Sequence, residues 1–592
     1  MSTPRFSLAR MMVRLRRFTR DGQILLSVLA FVVGAASGGA VVAFREVIAL
    51  VQGVAFGSSS ERLLLHLGGL PWWQIVLAPA AGGILIGLAV QFMMDEKRPV
   101  GLADVIEASA LRGGRMSILQ GLKGALVNAA SIGFGASVGR EGPAVHFGAS
   151  IAGWLAGSLH LTRPMSRTLL GCGAAAAVAA SFNAPIAGAL FASEVVIGHY
   201  AISAFAPIVI ASVTGTAISR YYFGDFPAFT IPEHVIESMW EFPAFIGLGI
   251  VAGLVAMAFM QGIMTTSNLA QRLAVPDWTK PAIGGLMIGL MALAFPQVLG
   301  VGYGSTEAAV MAAFPLGLLI SVCLAKIVAT AISIGFGFGG GVFSPALVIG
   351  AMLGGAYGIV FTQLFPALST GTGAYTILGM GAMAAAVLGA PISTALIIFE
   401  MTGDYALTLA LMVAVVVATM ITRGFHGGSF FLWQLERRGH DLKDGFEVAL
   451  LRNIKVRDIM SSGGELVTLG FSLPEIRAML QKSEAGELFV VDDNGALFGT
   501  ITLADMSEFA FDPSLDTLVT ASDIARRHPT VLAGDDNLEA ALGLMHDSGE
   551  EYIAVVEDPD TMMFLGCVRE GRVMSAYNRA LVEARREERG LD

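Results

Sequence analysis

The chain has 592 residues, of which 54% are hydrophobic and only 14% are charged, whereas an average soluble domain has about 25% charged residues. This composition excludes an ordinary soluble enzyme. The charges are unevenly spread: residues 441–592 hold 29 of the 47 acidic and 14 of the 37 basic residues, so this part has a net charge of −15 and the rest +5. The acidic C-terminal part argues against nucleic acid as a partner, because a phosphate backbone requires a basic surface.

A basic segment, residues 1–22, is followed by an uncharged stretch from Gln23 to Phe44. Such a leader also occurs in signal peptides, but an apolar run of about 20 residues favours a membrane-spanning helix. Six arginines in the first 20 residues place the N-terminus in the cytoplasm by the positive-inside rule. Further apolar stretches occur at about 74–94, 121–138, 167–194, 201–217, 243–264, 282–300, 315–335, 346–365, 375–400 and 405–422. We therefore expect an α-helical polytopic domain over residues 23–440, in the plasma or inner membrane, with both termini cytoplasmic.

This domain contains an internal duplication of about 200 residues. Residues 131–149 (SIGFGASVGREGPAVHFGA) and 333–351 (SIGFGFGGGVFSPALVIGA) match at a displacement of 202 positions. A second match follows in each copy, from Ala-Pro-Ile at 184–186 and 390–392 to a glutamate nine residues after the proline. Two repeats, roughly 30–220 and 240–440, with Gly- and Pro-interrupted segments at matching places, indicate a transporter whose site lies where broken helices meet.

Each repeat has a glycine cluster and a proline before an apolar run, GREGP at 139–143 and GVFSP at 341–345. Both segments predict helix N-termini inside the membrane. Unpaired N–H groups at such ends are costly in hydrocarbon and suit a small anion. The sequence therefore predicts an anion site built from Gly139, Arg140 and Gly142 in the first repeat and Val342 and Phe343 in the second. The alternative is tight glycine-mediated helix packing.

Glu141 is an acid inside the membrane domain, and the second repeat has Phe343 at the matching position. An intramembrane acid is costly and indicates function. Beside a helix N-terminus, an ionised Glu141 can occupy the anion's place, and a protonated one can free it. We therefore interpret Glu141 as a gate that responds to pH and to anion concentration. The alternative is a salt bridge with Arg140, although adjacent residues rarely face each other on a helix.

These motifs, with FNAPIAGALFASE (182–194), GAPISTALIIFEMTGDY (389–405) and SFFLWQLERRG (429–439), resemble the CLC family of chloride channels and chloride/proton antiporters over about residues 30–440. The resemblance implies an inverted repeat with broken helices and a homodimer with one pore in each subunit. It also implies that backbone amides of Val342 and Phe343 hold the anion and that Glu141 is the gating glutamate.

The sequence departs from the family pattern at three places. Val100 stands where the family usually has a serine that contacts the central anion, and Phe431 stands where it has a tyrosine. Both hydroxyl ligands are then missing, which leaves open the choice among chloride, nitrate and fluoride. Val195, directly after Glu194, replaces the proton-relay glutamate of many antiporters. Glu194 recurs as Glu400, which favours a structural role at a helix end over a proton path.

The C-terminal part, residues 441–592, predicts two α/β units at roughly 454–511 and 517–580. Strand–turn–strand patterns at 487–505 and 551–573 follow similar openers, VRDIM (456–460) and ASDIA (521–525), with a helix at about 537–548. This part resembles a tandem CBS pair, a cytosolic domain that can bind adenine nucleotides. Thr502 and Asp505 match the T-x-x-D motif whose acid binds ribose hydroxyls. At the matching place the second unit has Arg569-Glu570-Gly571-Arg572 and lacks this motif. The alternative to nucleotide binding is therefore a domain that stabilises a dimer.

The sequence thus predicts membrane transport of chloride or another small anion, as a channel gated by Glu141. The alternative is a chloride/proton antiporter, in which protons are a second substrate, and a more distant one is a membrane receptor without flux. The three cysteines and nine histidines are scattered without the spacing of a metal site, so neither a metal nor a required cofactor is expected. No nucleophile constellation of an intramembrane enzyme is visible. Voltage dependence and physiological role stay open.

Overall fold

The structure, a computed structural model, describes residues 22–59, 69–200, 202–224, 239–440, 454–483, 486–507 and 513–589. Contacts divide the chain into two units with a boundary between Lys443 and Asp444. We call them the membrane unit and the C-terminal unit. The predicted basic segment, apart from Gly22, lies outside the described residues.

The membrane unit is helical. Its α-helices are α1 (Gly22–Phe56), α2 (Trp72–Met93), α3 (Leu102–Ala110), α4 (Ile118–Gly133), α5 (Glu141–Ser158), α6 (Arg163–Phe182), α7 (Pro185–Phe191), α8 (Ile202–Phe223), α9 (Phe242–Arg272), α10 (Lys280–Ala294), α11 (Tyr303–Val310), α12 (Leu316–Gly335), α13 (Phe343–Leu364), α14 (Thr372–Leu388), α15 (Pro391–Thr402), α16 (Tyr405–His426) and α17 (Phe430–Glu436). A π-helix, Ala192–Ile197, continues α7, and 3₁₀ turns span Met239–Glu241, Asp277–Thr279 and Pro296–Val298. Among the described residues, eight helical segments are long and apolar enough to cross a membrane.

The duplication in the sequence is also a duplication of structure. Helices α1–α8 and α9–α16 follow one another in the same order, and α5 and α13 begin 202 residues apart, the displacement of the sequence motifs. The helices α6 and α14 are buried along nearly their whole length because they consist mainly of alanine, glycine and other small or apolar residues. These two helices form the centre of the membrane unit.

Two of the predicted apolar stretches are each broken into two helices. The stretch 167–194 contains the end of α6 and the start of α7, with Asn183 in the left-handed conformation (φ 59°) between them. The stretch 375–400 breaks in the same way at Gly389 (φ 68°), before Pro391 begins α15. A left-handed residue followed by Ala-Pro ends one helix and starts the next. Helix α5 was absent from the predicted stretches because its sequence contains Glu, His, Ser and several glycines.

The two repeats exchange hydrogen bonds reciprocally. The Ser137 amide donates to the Ser333 hydroxyl at 2.9 Å, and the Gly339 amide donates to the Ser131 hydroxyl at 3.0 Å. Ser131 and Ser333 are equivalent in the repeat, as are Ser137 and Gly339. Reciprocal contacts between equivalent positions are typical of a two-fold relation, so an approximate two-fold axis relates the halves.

The C-terminal unit mixes strands and helices. Its elements are α18 (Val456–Ile459), β1 (Leu466–Thr468), α19 (Leu473–Lys482), β2 (Glu487–Val491), β3 (Leu497–Thr502), a 3₁₀ turn (Pro513–Leu515), α20 (Ala521–Ile524), β4 (Arg526–Arg527), β5 (Val531–Ala533), α21 (Leu538–Ser548), β6 (Tyr552–Val556), β7 (Phe564–Arg569) and α22 (Glu570–Arg589). The strands form two sheets, ordered β1-β2-β3-β4 and β5-β6-β7. In both sheets a parallel pair is followed by an antiparallel hairpin, as expected for a repeated unit.

The C-terminal unit contains two α/β units, and each packs against the opener segment of the other. Val456, from the first opener, packs in the core of the second α/β unit, with Leu532 and Leu538. Ala521 and Ile524, from the second opener, pack in the core of the first unit. The exchange makes the two units interdependent.

Candidate functional site

The starts of α5 and α13 meet in the middle of the membrane unit. Gly139 and Gly341 form an antiparallel bridge with two backbone hydrogen bonds of 2.7 Å. The next residues, Arg140 and Val342, are the N-caps of the two helices. The structure therefore brings together two helix N-termini whose first-turn N–H groups have no partner within the helix.

The Glu141 side chain is almost fully buried and lies against the first turn of the opposite repeat's helix, α13. The Ser344 hydroxyl is 2.6 Å from both carboxylate oxygens, and the Tyr303 hydroxyl donates to Oε1 at 2.6 Å. Only 3% of Glu141 is exposed. Two hydroxyls, from different helices, therefore hold the carboxylate in this position.

The predicted alternative partner, Arg140, is also near. Its Nε is 3.8 Å from Glu141 Oε1, which is an ion-pair contact but too long for a hydrogen bond. Its guanidinium carbon lies 4.8 Å from the centroid of the Tyr303 ring. The two hydroxyls are therefore closer to the carboxylate than the arginine is.

A small apolar cavity lies on one side of Glu141. Predicted site residues Gly142, Val342, Phe343 and Phe431 all border it. The lining residues are Leu102, Glu141, Gly142, Val145, Val178, Phe182, Phe191, Gly341, Val342, Phe343, Leu388 and Phe431. Among them Glu141 carries the single polar side chain, so backbone groups supply the remaining polarity of this cavity.

A second cleft is bordered by Tyr303, the hydrogen-bond partner of Glu141. Its lining includes Arg45, Gln52, Arg140 and Tyr303, and none of its lining residues is acidic. Two arginines give this cleft a positive potential that favours anions. The Tyr303–Glu141 pair thus lies between an arginine-lined cleft and the apolar cavity.

Val100 is placed elsewhere. Val100 borders a separate, larger cleft, together with Arg98, Asp104 and His146. Two residues further along the chain, Leu102 lines the apolar cavity instead. The structure therefore groups Phe431 with Glu141, but does not place the Val100 side chain among the residues lining that cavity.

Glu194 and its repeat partner Glu400 lie at helix ends. The Glu194 carboxylate accepts hydrogen bonds from the Ile392 and Ser393 amides at 3.1 and 2.8 Å, at the start of α15. Glu400 accepts from the amides of residues 186 and 187, at the start of α7, at 3.0 and 2.7 Å. Each glutamate therefore caps the start of a helix of the other repeat. Val195, in the π-helix, is only partly buried.

In the C-terminal unit, Thr502 and Asp505 contact each other. The Thr502 amide and hydroxyl donate to Asp505 Oδ2 at 2.9 and 2.7 Å. Arg526 binds Asp505 at 3.3 Å and Glu550 at 3.1 Å. Burial alone would raise the pKa of Asp505, but the hydrogen bonds from Thr502 and the contact with Arg526 hold it below its ordinary value. Burial, together with the nearby Glu550, raises the pKa of Glu487 to about 7.

Two residues of the membrane site, Tyr303 and Arg45, were not expected from the sequence. A signal for Tyr303 exists, because Val100-Gly101-Leu102 and Val301-Gly302-Tyr303 extend the internal repeat. Both triplets lead into a short helix, α3 or α11, with the glycine as its N-cap. No comparable signal marks Arg45.

Comparisons with known proteins agree with this architecture. Residues 82–423 match the voltage gated chloride channel family, and residues 456–512 match the CBS domain. The chain is 34% identical over 417 residues to the ClcB-like chloride channel protein of Ralstonia nicotianae, covering 70% of this chain and 97% of that protein.

Two solved structures share the fold. One is a slow cyanobacterial Cl⁻/H⁺ antiporter, with a TM-score of 0.63 and 25% identity, covering 70% of this chain and 97% of that chain. The other is a eukaryotic CLC transporter, with a TM-score of 0.61 and 20% identity, covering 92% of this chain and 97% of that chain. The predicted fold, a CLC-type repeat of broken helices followed by a CBS pair, is confirmed. The chain therefore belongs to the voltage-gated chloride channel family, as a multi-pass membrane protein with a C-terminal CBS region.

Proposed function

We propose that this chain conducts chloride across the membrane and that Glu141 is the gate of its pathway. The proposal rests on the contact between the Glu141 carboxylate and the Ser344 hydroxyl, in the first turn of α13. A helix N-terminus is a favourable place for an anion. The carboxylate lies where a chloride ion would bind, between the arginine-lined cleft and the apolar cavity.

Opening follows from the charge of Glu141. The ionised carboxylate is held by Ser344 and Tyr303 and blocks the pathway. Protonation removes the negative charge that the helix N-terminus attracts, and a high chloride concentration competes for the same place. Either change releases the side chain. The chloride ion then binds the backbone N–H groups near Val342 and Phe343, with Gly139, Arg140 and Gly142 on the facing side.

We place this chain among passive channels because of the residues around the π-helix. Val195 cannot carry a proton, and the Glu194 carboxylate is engaged by two amides of α15. These contacts support a path for chloride without an obligatory proton path.

The second candidate is chloride/proton exchange. Its support is the similarity to the solved Cl⁻/H⁺ antiporter, which is 25% identical. In that case Glu141 would alternate between proton and chloride binding, and water rather than Val195 would complete the path. The anion could be nitrate or fluoride instead of chloride, because the cavity beside Phe431 offers no side-chain hydroxyl.

Liposomes containing the purified protein distinguish the two mechanisms. A chloride gradient is imposed against a proton gradient, and the internal pH is followed with a trapped dye. A channel gives chloride flux without uphill proton movement. Proton movement against its gradient would overturn the channel assignment and establish exchange.

We also propose a homodimer with one pore in each subunit. The support is a row of exposed apolar residues on α16, namely Tyr405, Leu409, Met412, Val416 and Met420, which repeat at helical spacing. Ile186 on α7 and Ile392 on α15 are about half exposed as well. Light scattering of the detergent-solubilised protein tests this assembly. A monomeric mass would contradict it.

We propose that the protein lies in the plasma or inner membrane, with both termini cytoplasmic, on the basis of the arginine-rich N-terminal segment.

We propose that an adenine nucleotide binds the CBS region at Thr502 and Asp505. Arg526 contacts Asp505, and the carboxyl groups of Glu487 and Glu550 lie nearby. Calorimetric titration with ATP and adenosine tests it, and repulsion of the phosphates predicts weaker binding of ATP.

A further inference from the structure

Lys326 is an ionisable residue buried in the membrane unit. It lies in the middle of α12, and its side chain is fully buried. Its Nζ donates to the carbonyl oxygens of Val298 and Gly300 at 3.0 and 2.8 Å. In the described part of the chain, these two carbonyls are the hydrogen-bond partners found for this Nζ. Burial of an ionisable side chain within a membrane domain is costly and indicates a role.

The two carbonyls belong to the segment that leads into α11. This segment is fixed from several sides. The Gly300 amide donates to the Gly135 carbonyl of the first repeat at 3.2 Å. Gly302 has φ 94°, and a Cβ there would lie 2.8 Å from Val348 and 3.4 Å from Lys326 Nζ. The segment is therefore held in one conformation, and Lys326 binds two of its carbonyls.

Tyr303, the first residue of α11, directly follows this segment. Its hydroxyl donates to Glu141 at 2.6 Å. We propose that Lys326 is a positioning residue of the gate: it fixes the segment 298–302 so that the Tyr303 hydroxyl holds the ionised Glu141 in the blocking position. This inference rests on the proposed function of Glu141.

The groups that face the Glu141 carboxylate determine the sign of the effect. Charged or titratable ones are Arg140, from the start of the same helix, and Tyr303, from α11. Helix α13 contributes the Ser344 hydroxyl, and the other helices around the cavity contribute apolar side chains, namely Leu102, Val178, Phe182, Phe191, Leu388 and Phe431. The Tyr303 hydroxyl is one of the two that hold the carboxylate in the blocking position. Its loss weakens that hold, so the pathway opens at a higher pH.

The test measures chloride efflux from liposomes as a function of pH, using the full-length protein. We expect Lys326→Met to move the midpoint of activation upward by about one pH unit, the effect of losing one charge-assisted hydrogen bond. Lys326→Arg, which keeps the charge and the donors, should stay near the wild-type midpoint. Lys123→Met, a membrane lysine on α4, is the control and should leave the midpoint unchanged.

A double variant separates positioning from a general effect of charge. Tyr303→Phe should give the same upward shift, and Lys326→Met should add nothing to it when both are combined. Additive shifts, or a wild-type midpoint in Lys326→Met, overturn the inference. If Lys326→Met does not fold, Lys326→Gln replaces it, because glutamine keeps a donor for one carbonyl. Lys326→Gln should shift the midpoint in the same direction. An unshifted midpoint in Lys326→Gln would also overturn the inference.

The gate itself is checked in parallel with Glu141→Gln. If Glu141→Gln keeps the wild-type pH response, Glu141 is not the gate, and the proposed function fails whatever the result for Lys326. If it loses the pH response and Lys326→Met keeps the wild-type midpoint, the gate stands and the positioning role of Lys326 fails.

Discussion

Gly139 and Gly341 exchange two backbone hydrogen bonds of 2.7 Å, and this bridge joins the N-termini of α5 and α13. A side chain does not fit at Gly139. A Cβ there would lie 2.9 Å from Glu141 Oε2 and 3.0 Å from the Ser344 amide. The absence of a side chain at Gly139 leaves room for the Glu141 carboxylate beside the start of α13.

Gly139→Ala should therefore weaken chloride binding. The added methyl group approaches the Ser344 amide and opens the bridge to Gly341, so we expect a loss of affinity of at least about tenfold, or about 1.4 kcal/mol. Isothermal titration calorimetry of the detergent-solubilised protein measures it. Gly157→Ala, on the same helix α5, is a matched control because a Cβ there meets nothing within 4 Å. Equal affinities of Gly139→Ala and the wild type would contradict the proposed anion position.

Phe431→Tyr should have the opposite effect. A hydroxyl added to this ring enters the apolar cavity beside Glu141 and supplies a side-chain donor. One such hydrogen bond contributes about 0.5–1.5 kcal/mol, so chloride affinity should rise about two- to tenfold in the same calorimetric measurement. Val100→Ser should give no gain, because Val100 borders a different cleft. A gain from Val100→Ser alone would show that the cavity is not the binding place.

Glu194→Gln and Glu400→Gln should destabilise the protein to a similar extent. Each glutamate accepts two amide hydrogen bonds from a helix start of the other repeat. A glutamine cannot match this pairing, and a loss of about 1–3 kcal/mol is expected for each variant. Thermal unfolding in detergent measures the loss. If Glu194→Gln changes proton movement in liposomes and Glu400→Gln does not, Glu194 has a proton role beyond its cap.

Glu487 should make the stability of the C-terminal unit depend on pH. Its pKa is raised to about 7, so between about pH 4.5 and 7 the folded unit binds a proton that the unfolded chain releases. Stability therefore falls as pH rises through this range. Glu487→Gln should raise the free energy of unfolding of the C-terminal unit by about 1–2 kcal/mol at pH 8 and hardly change it at pH 4.

Hydrogen exchange of the β2 amides in the full-length protein, corrected for intrinsic rates, measures this difference. Glu475→Gln provides a control of opposite sign. Hydrogen bonds from Ser472 lower the pKa of the exposed Glu475, so its contribution to stability is present at high pH and is lost on acidification. A pH-independent effect of Glu487→Gln would contradict the assignment.

The sequence predicts the fold well because the repeat consists of short motifs that determine local structure. Proline favours the first turn of a helix, and α5 and α13 both carry a proline there, after a glycine cluster. The CBS strands likewise follow from local alternation and turn residues. These features depend on neighbours in the chain rather than on contacts between distant segments.

The partners of Glu141 could not be predicted in this way. Tyr303 and Ser344 are 162 and 203 residues away in sequence, and the two-fold relation of the repeats alone brings them to the carboxylate. The same relation explains why Glu194 caps α15 rather than its own α7. A repeat can be found by comparing the chain with itself, but exchange of contacts between repeats requires the packed structure.

Whether Glu141 gates a chloride pathway is decided by chloride efflux from liposomes, measured across external pH for the wild type and for Glu141→Gln. We expect wild-type efflux to rise as the pH falls, whereas Glu141→Gln, which lacks the blocking charge, gives fast efflux that is independent of pH. An unchanged pH response in Glu141→Gln would show that Glu141 is not the gate.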